Sequence, residues 1–144
     1  MRNHIVELLI KFARLFILGG KSSFTAVSEA TGNKFSYRVH RTTKEGETFY
    51  NVWVFDGNMY VWIGVMVPKY NYLFENMLET NDPSMLIRIK AFDWMWNNFF
   101  NKDLAPPQVK LFYSGVCPHC NRKLKTKKSL ERGLGYHCQK KIIL

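Results

Sequence analysis

A chain of 144 residues with 47% hydrophobic and 15% aromatic side chains can bury one real core. It is too short for two full domains, so one domain with at most a small appended module is expected, and collagen-like, coiled-coil and disordered classes are excluded. Lys and Arg outnumber Asp and Glu by 21 to 11, a formal net charge of +10, which points to an anionic partner: nucleic acid first, then a membrane surface or an acidic protein face.

Residues 3–18 read as an amphipathic helix. Ile5, Leu9, Phe12 and Phe16 recur at helical spacing, Leu8 and Leu15 widen the stripe, Asn3 is a suitable N-cap and Gly19-Gly20 a stop. Glu7, Lys11 and Arg14 interrupt the apolar run, so it is neither a membrane span nor a signal peptide, and a soluble, cytoplasmic protein is expected.

From residue 22 the period changes to two. Phe35, Tyr37 and Val39 alternate with Lys34, Ser36, Arg38 and His40, which is a half-buried strand. Ser22–Val27 precedes it across a Thr31-Gly32-Asn33 turn. Thr48–Phe55 follows Lys44-Glu45-Gly46, and Met59–Val67 follows Asp56-Gly57-Asn58. The result is a four-stranded antiparallel meander closed by Pro68, with no catalytic constellation in it; His4 and His40 read as ordinary polar residues. Residues 69–80 read as a loop or short helix.

Asp82-Pro83 opens a second helix, because Asp caps and Pro fits the first turn. Met85, Ile89, Phe92, Trp96 and Phe99 form its apolar stripe and are expected to pack on the sheet. Ala105-Pro106-Pro107 is a connector, and Val109–Ser114 reads as a fifth strand leading into the cysteines.

The three cysteines, Cys117, Cys120 and Cys138, lie together near the C-terminus. An odd, clustered set favours a metal in a reducing compartment over a disulfide framework. Cys-x-x-Cys makes a tight turn that aims two thiolates at one point, and Cys138 returns after a spacer suited to a compact zinc ribbon or treble-clef-like module. For the fourth ligand His137 is favoured, then His119, then a residue from elsewhere or water. The surroundings do not suit catalysis: Glu131 is the only nearby acid, there is no upstream His-x-Glu of the deaminase kind, and no parallel βαβ context for a thioredoxin-type pair.

Charge and cysteines coincide. Residues 109–144 hold nine basic side chains against Glu131, net +8, whereas residues 1–108 hold twelve basic and ten acidic, net +2. The expected organisation is an α+β body, 1–108, with an N-terminal helix and a four- to five-stranded antiparallel sheet carrying the aromatic helix, followed by a basic zinc-knuckle module, 109–144.

The run Cys117-x-x-Cys120, Arg122, Leu124, Ser129, Gly133-Leu134-Gly135 and Cys138 resembles a family of small uncharacterised phage and bacterial proteins. Their pattern is Cys-x-x-Cys-Gly-Arg-x-Leu, a spacer, then Ser-x-x-x-Gly-Ile-Gly-Pro-x-Cys. The segments 35–39 and 90–96 are similar more loosely. Asn121 replaces the family's glycine, Tyr136-His137 replaces Pro-x, and the family position of His137 is variable. The resemblance implies a phage accessory protein with a zinc-knuckle tail, acting in the host cytoplasm, and no known activity.

The leading expectation is a non-enzymatic protein that binds nucleic acid through Arg122, Lys123, Lys125, Lys127, Lys128, Lys140 and Lys141. The alternative is a phage-encoded inhibitor of a host nuclease or defence complex, or a modulator of host polymerase, docking by protein–protein contact.

Overall fold

The computed structural model describes residues 3–142. Its centre is a seven-stranded sheet in the order β1-β7-β2-β3-β4-β5-β6. Strands β2 (Lys21–Ser28), β3 (Lys34–Lys44), β4 (Glu47–Phe55), β5 (Tyr60–Met66) and β6 (Phe74–Asn76) run as a meander. The last strand, β7 (Val109–Tyr113), returns to pair with β2, and β1 (Val6–Leu8) closes the far edge beyond it. Every pairing is antiparallel.

Local chemistry sets the hairpins. Glu45 and Gly46 both take positive φ, 54° and 79°, as a two-residue turn between twisted strands requires. The Asp56 carboxylate accepts hydrogen bonds from the backbone N–H of Asn58 (2.8 Å) and Met59 (2.9 Å), which fixes the next turn and lowers the Asp56 pKa.

Period-two alternation sorts the strands into two faces. Phe24, Tyr37, Val39, Val52, Val54, Leu111 and Tyr113 point to one side and are fully buried. Against them packs helix α2 (Pro83–Asn98), through Met85, Ile89, Phe92, Met95 and Trp96. Asp82 caps α2 by accepting from Ser84 N–H at 3.0 Å, and the buried Trp96 indole donates to the Tyr72 carbonyl at 2.7 Å. On the opposite face no strand residue is buried, and no described helix covers it.

Two expectations are corrected. The helix over 3–18 is instead β1, a 3-10 turn at Ile10–Phe12 and a five-residue helix, α1 (Ala13–Ile17). Strand pairing of Val6–Leu8 with Leu111–Tyr113 overrides the local helical spacing, which a short apolar run cannot settle by itself. The sheet has seven strands rather than four or five, because the edge strands β1 and β6 are three residues each, too short to show alternation. The α+β class and the antiparallel meander stand as expected. No helix among the described residues is long and apolar enough to cross a membrane.

Candidate metal centre and basic module

After β7 the chain turns at Gly115, with φ of 80°, into a small hairpin whose Val116 and Lys123 pair as an isolated antiparallel bridge. Cys117 N–H donates to the Arg122 carbonyl and Asn121 N–H to the Cys117 carbonyl, each at 2.9 Å, and these two bonds shape the knuckle. Asn121 sits at φ of 63°, a left-handed conformation that asparagine tolerates better than most side chains.

Helix α3 (Lys127–Arg132) follows, capped by the Thr126 hydroxyl accepting from Ser129 N–H at 3.2 Å, and ends on Gly133 at φ of 75°. Leu134 is fully buried, and Gly135 starts helix α4 (Tyr136–Lys141), which carries Cys138 back to the knuckle. The three cysteine sulfurs lie within 4.8 Å of one another; Cys117 and Cys138 are buried and Cys120 is exposed.

Three thiols this close perturb one another. Burial pushes the Cys138 thiol up, reinforced by its hydrogen bonding to Cys120 and by the charge of Cys117. Burial also acts to raise Cys120, but it is outweighed. The Arg122 backbone N–H, hydrogen bonds from Cys138 and Cys117, and the Arg122 charge bring that thiol below its usual value. The cluster thus favours the thiolate at Cys120 over that at Cys138, and a divalent cation would compensate the charge of three thiolates.

The module is joined to the sheet rather than hanging from it. Leu9 N–H donates to the Glu131 carbonyl at 2.9 Å, Lys21 N–H to the Pro118 carbonyl at 2.8 Å, and the Tyr113 hydroxyl to the Leu130 carbonyl. Gly19 lies against Pro118, where a Cβ would come within 2.6 Å of the proline ring. Body and knuckle enclose between them a cleft of about 340 Å³ lined by Gly20, Lys21, Arg41, His119, Cys120 and Asn121, among others. Sequence reasoning missed this cleft because its residues come from three distant segments.

The group of clustered ligand atoms contains no histidine. His137 is exposed on α4, its ring 5.5 Å from that of Tyr136, and His119 lines the cleft; neither belongs to the group of three sulfurs. His4 bonds the hydroxyls of Thr25 (2.7 Å) and Ser23 (3.1 Å), and burial, then Arg38, lower its pKa. His40 packs against Trp53 at 5.2 Å.

The seven expected basic contacts are all exposed: Arg122 and Lys123 on the knuckle, Lys125 before α3, Lys127 and Lys128 in its first turn, Lys140 and Lys141 at the end of α4. Among the described residues none of them forms an ion pair. Lys127 and Lys128 stand at the helix end where the dipole disfavours cations, so helix stability does not account for them. Lys140 rests over the Tyr136 ring, 4.4 Å from its centre.

Strand alternation also sets a row on the open face that the sequence reading passed over: Arg38, Trp53 and Trp62 are cross-strand neighbours on β3, β4 and β5. The signal was the polar half of each alternating strand. Comparison with known proteins adds no assignment to these sites: no family model matches the chain, nor does any curated protein or solved structure.

Proposed function

We propose that this is a non-enzymatic nucleic-acid-binding protein, of the phage accessory kind its knuckle resembles. A zinc ion on Cys117, Cys120 and Cys138 would hold the knuckle and α4 together. The observation that carries the reading is the coincidence of seven exposed cations, none of them in an ion pair among the described residues, with the cysteine cluster in one short stretch of chain. Among the described residues no carboxylate neutralises these cations, and phosphates are the partners they fit.

The donor set suits zinc: three soft sulfurs converge, two of them buried, and the exposed side at Cys120 leaves room for a fourth ligand. His137, then His119, then a residue from elsewhere or water are the candidates for that position. Zinc here would be structural, supplying the cross-link that two short helices and a hairpin lack. No acid besides Glu131 lies in this stretch of chain to act as a general base.

Fluorescence anisotropy against single- and double-stranded DNA and RNA, at low and high salt, tests the reading. Binding should weaken steeply as salt rises, and replacing Lys127 and Lys128 together by alanine should make that dependence shallower by about one to two ions. Absence of binding to every nucleic acid at low salt overturns it.

A further inference from the structure

The open face of the sheet has a composition that solvent exposure alone does not explain. Trp62 is 38% exposed, and its indole N–H is tied to Asn51 Oδ1 on the neighbouring strand at 2.9 Å. Trp53, its cross-strand partner, is half-buried and flanked by His40. Arg38, the partner of Trp53 on the other side, lies with its guanidinium 3.8 Å from the Tyr60 ring centre. Exposed aromatics scattered singly are ordinary, whereas two adjacent tryptophans, one fixed by a hydrogen bond, in register with an arginine are not.

Charge on this face has one sign at its centre. Lys21, Lys34 and Arg38 lie on the central strands, while the strand carboxylates on the same side are marginal: Glu7 and Glu75 on the edge strands β1 and β6, and Glu47 at the start of β4. The basic surface is continuous with the module. Lys21 pairs in register with His40 on the sheet and also lines the cleft with Arg41 and His119 beside the knuckle.

Flat aromatic rings beside cations fit a polymer that offers flat apolar faces and anionic links alternately. Unpaired bases and phosphates are that combination, and a duplex hides its base faces in its own stack. We propose that the open sheet face is a stacking platform for single-stranded nucleic acid. Trp62 and Trp53 receive unpaired bases, Arg38 and Lys21 receive the flanking phosphates, and the strand continues through the cleft onto the module. This rests on the nucleic-acid reading above and specifies its substrate. Stacking reads the base and not the sugar, so DNA and RNA strands are both taken.

The test uses the full chain with labelled oligo-dT, oligo-rU and a mixed-sequence duplex of equal length. The single strands should bind more tightly than the duplex and quench tryptophan fluorescence, with Trp62→Phe altering the quenched component. Trp62→Ala should weaken single-strand binding about ten-fold while leaving duplex binding within about two-fold, and Trp62→Phe should retain most of the affinity. Circular dichroism establishes that each variant is folded. If the parent binds nucleic acid but shows no single-strand preference and no quenching, or if folded Trp62→Ala and Trp53→Ala bind single strands as the parent does, the platform is overturned while the module reading stands. If the parent binds no nucleic acid at all, both fall.

Discussion

Gly133 meets two demands that no other residue satisfies together. It ends α3 at φ of 75°, and a Cβ built there would lie 2.5 Å from Phe16 Cδ1 and 2.6 Å from Leu8 Cδ1, both in the core. An alanine would therefore be strained in the backbone and would also force apart the contact that seats the module on the sheet. Gly135, two residues on, has φ of −65° and meets nothing nearer than the Cys138 sulfur at 3.8 Å. Gly133→Ala should destabilise the fold by about 1–3 kcal/mol and Gly135→Ala by clearly less, measured by denaturant unfolding. Equal effects would mean that Gly133 is not wedged. The sequence displays Gly-x-Gly but cannot rank its two glycines. The cysteines were legible because ligand spacing is a local property; the tightness at Gly133 depends on Leu8 and Phe16, more than a hundred residues away.

At the scale of elements, α3 and α4 have six residues each, well below the length at which a helix holds itself in water. Only Ser129 of α3 and Cys138 of α4 are buried, so their order depends on the sulfur cluster and, for α3, on the bonds that Leu9 N–H and the Tyr113 hydroxyl donate to the Glu131 and Leu130 carbonyls. Purified protein should contain about one zinc per chain. Chelation or Cys138→Ser should then collapse amide-exchange protection at Ser129–Gly133 and Gln139 while the central strands stay protected, as hydrogen exchange would record. Unchanged protection without metal would show that packing alone holds these helices. The long helix α2 was legible from Asp82-Pro83 and the Met85–Trp96 stripe, because sixteen residues repeat a period often enough to declare it. The N-terminal segment was not. Ile5 to Phe16 satisfies helical spacing, and what makes Val6–Leu8 a strand is β7, contributed from the other end of the chain.

The whole molecule is tied together by that return. β7 lies between β1 and β2, so Val109, Leu111 and Tyr113 complete a core otherwise built from residues 8–100. The Pro106-Pro107 connector and the change in charge made residue 108 look like a natural boundary; composition marks where chemistry changes, whereas strand order is fixed by pairing that composition does not record. A chain ending at 108 would lose an interior strand, leave β1 with no partner and expose the pairing edge of β2. We expect it to be insoluble or without dispersed amide resonances. A chain ending at Ser114 keeps all seven strands but leaves Leu8 and Phe16 without Gly133 against them. It should fold with reduced stability and bind nucleic acid more weakly, retaining any preference for single strands that resides on the sheet face. Size-exclusion chromatography and amide NMR spectra of the two truncations decide the matter. A folded 1–108 chain would mean that β7 is dispensable and that the sheet closes without it.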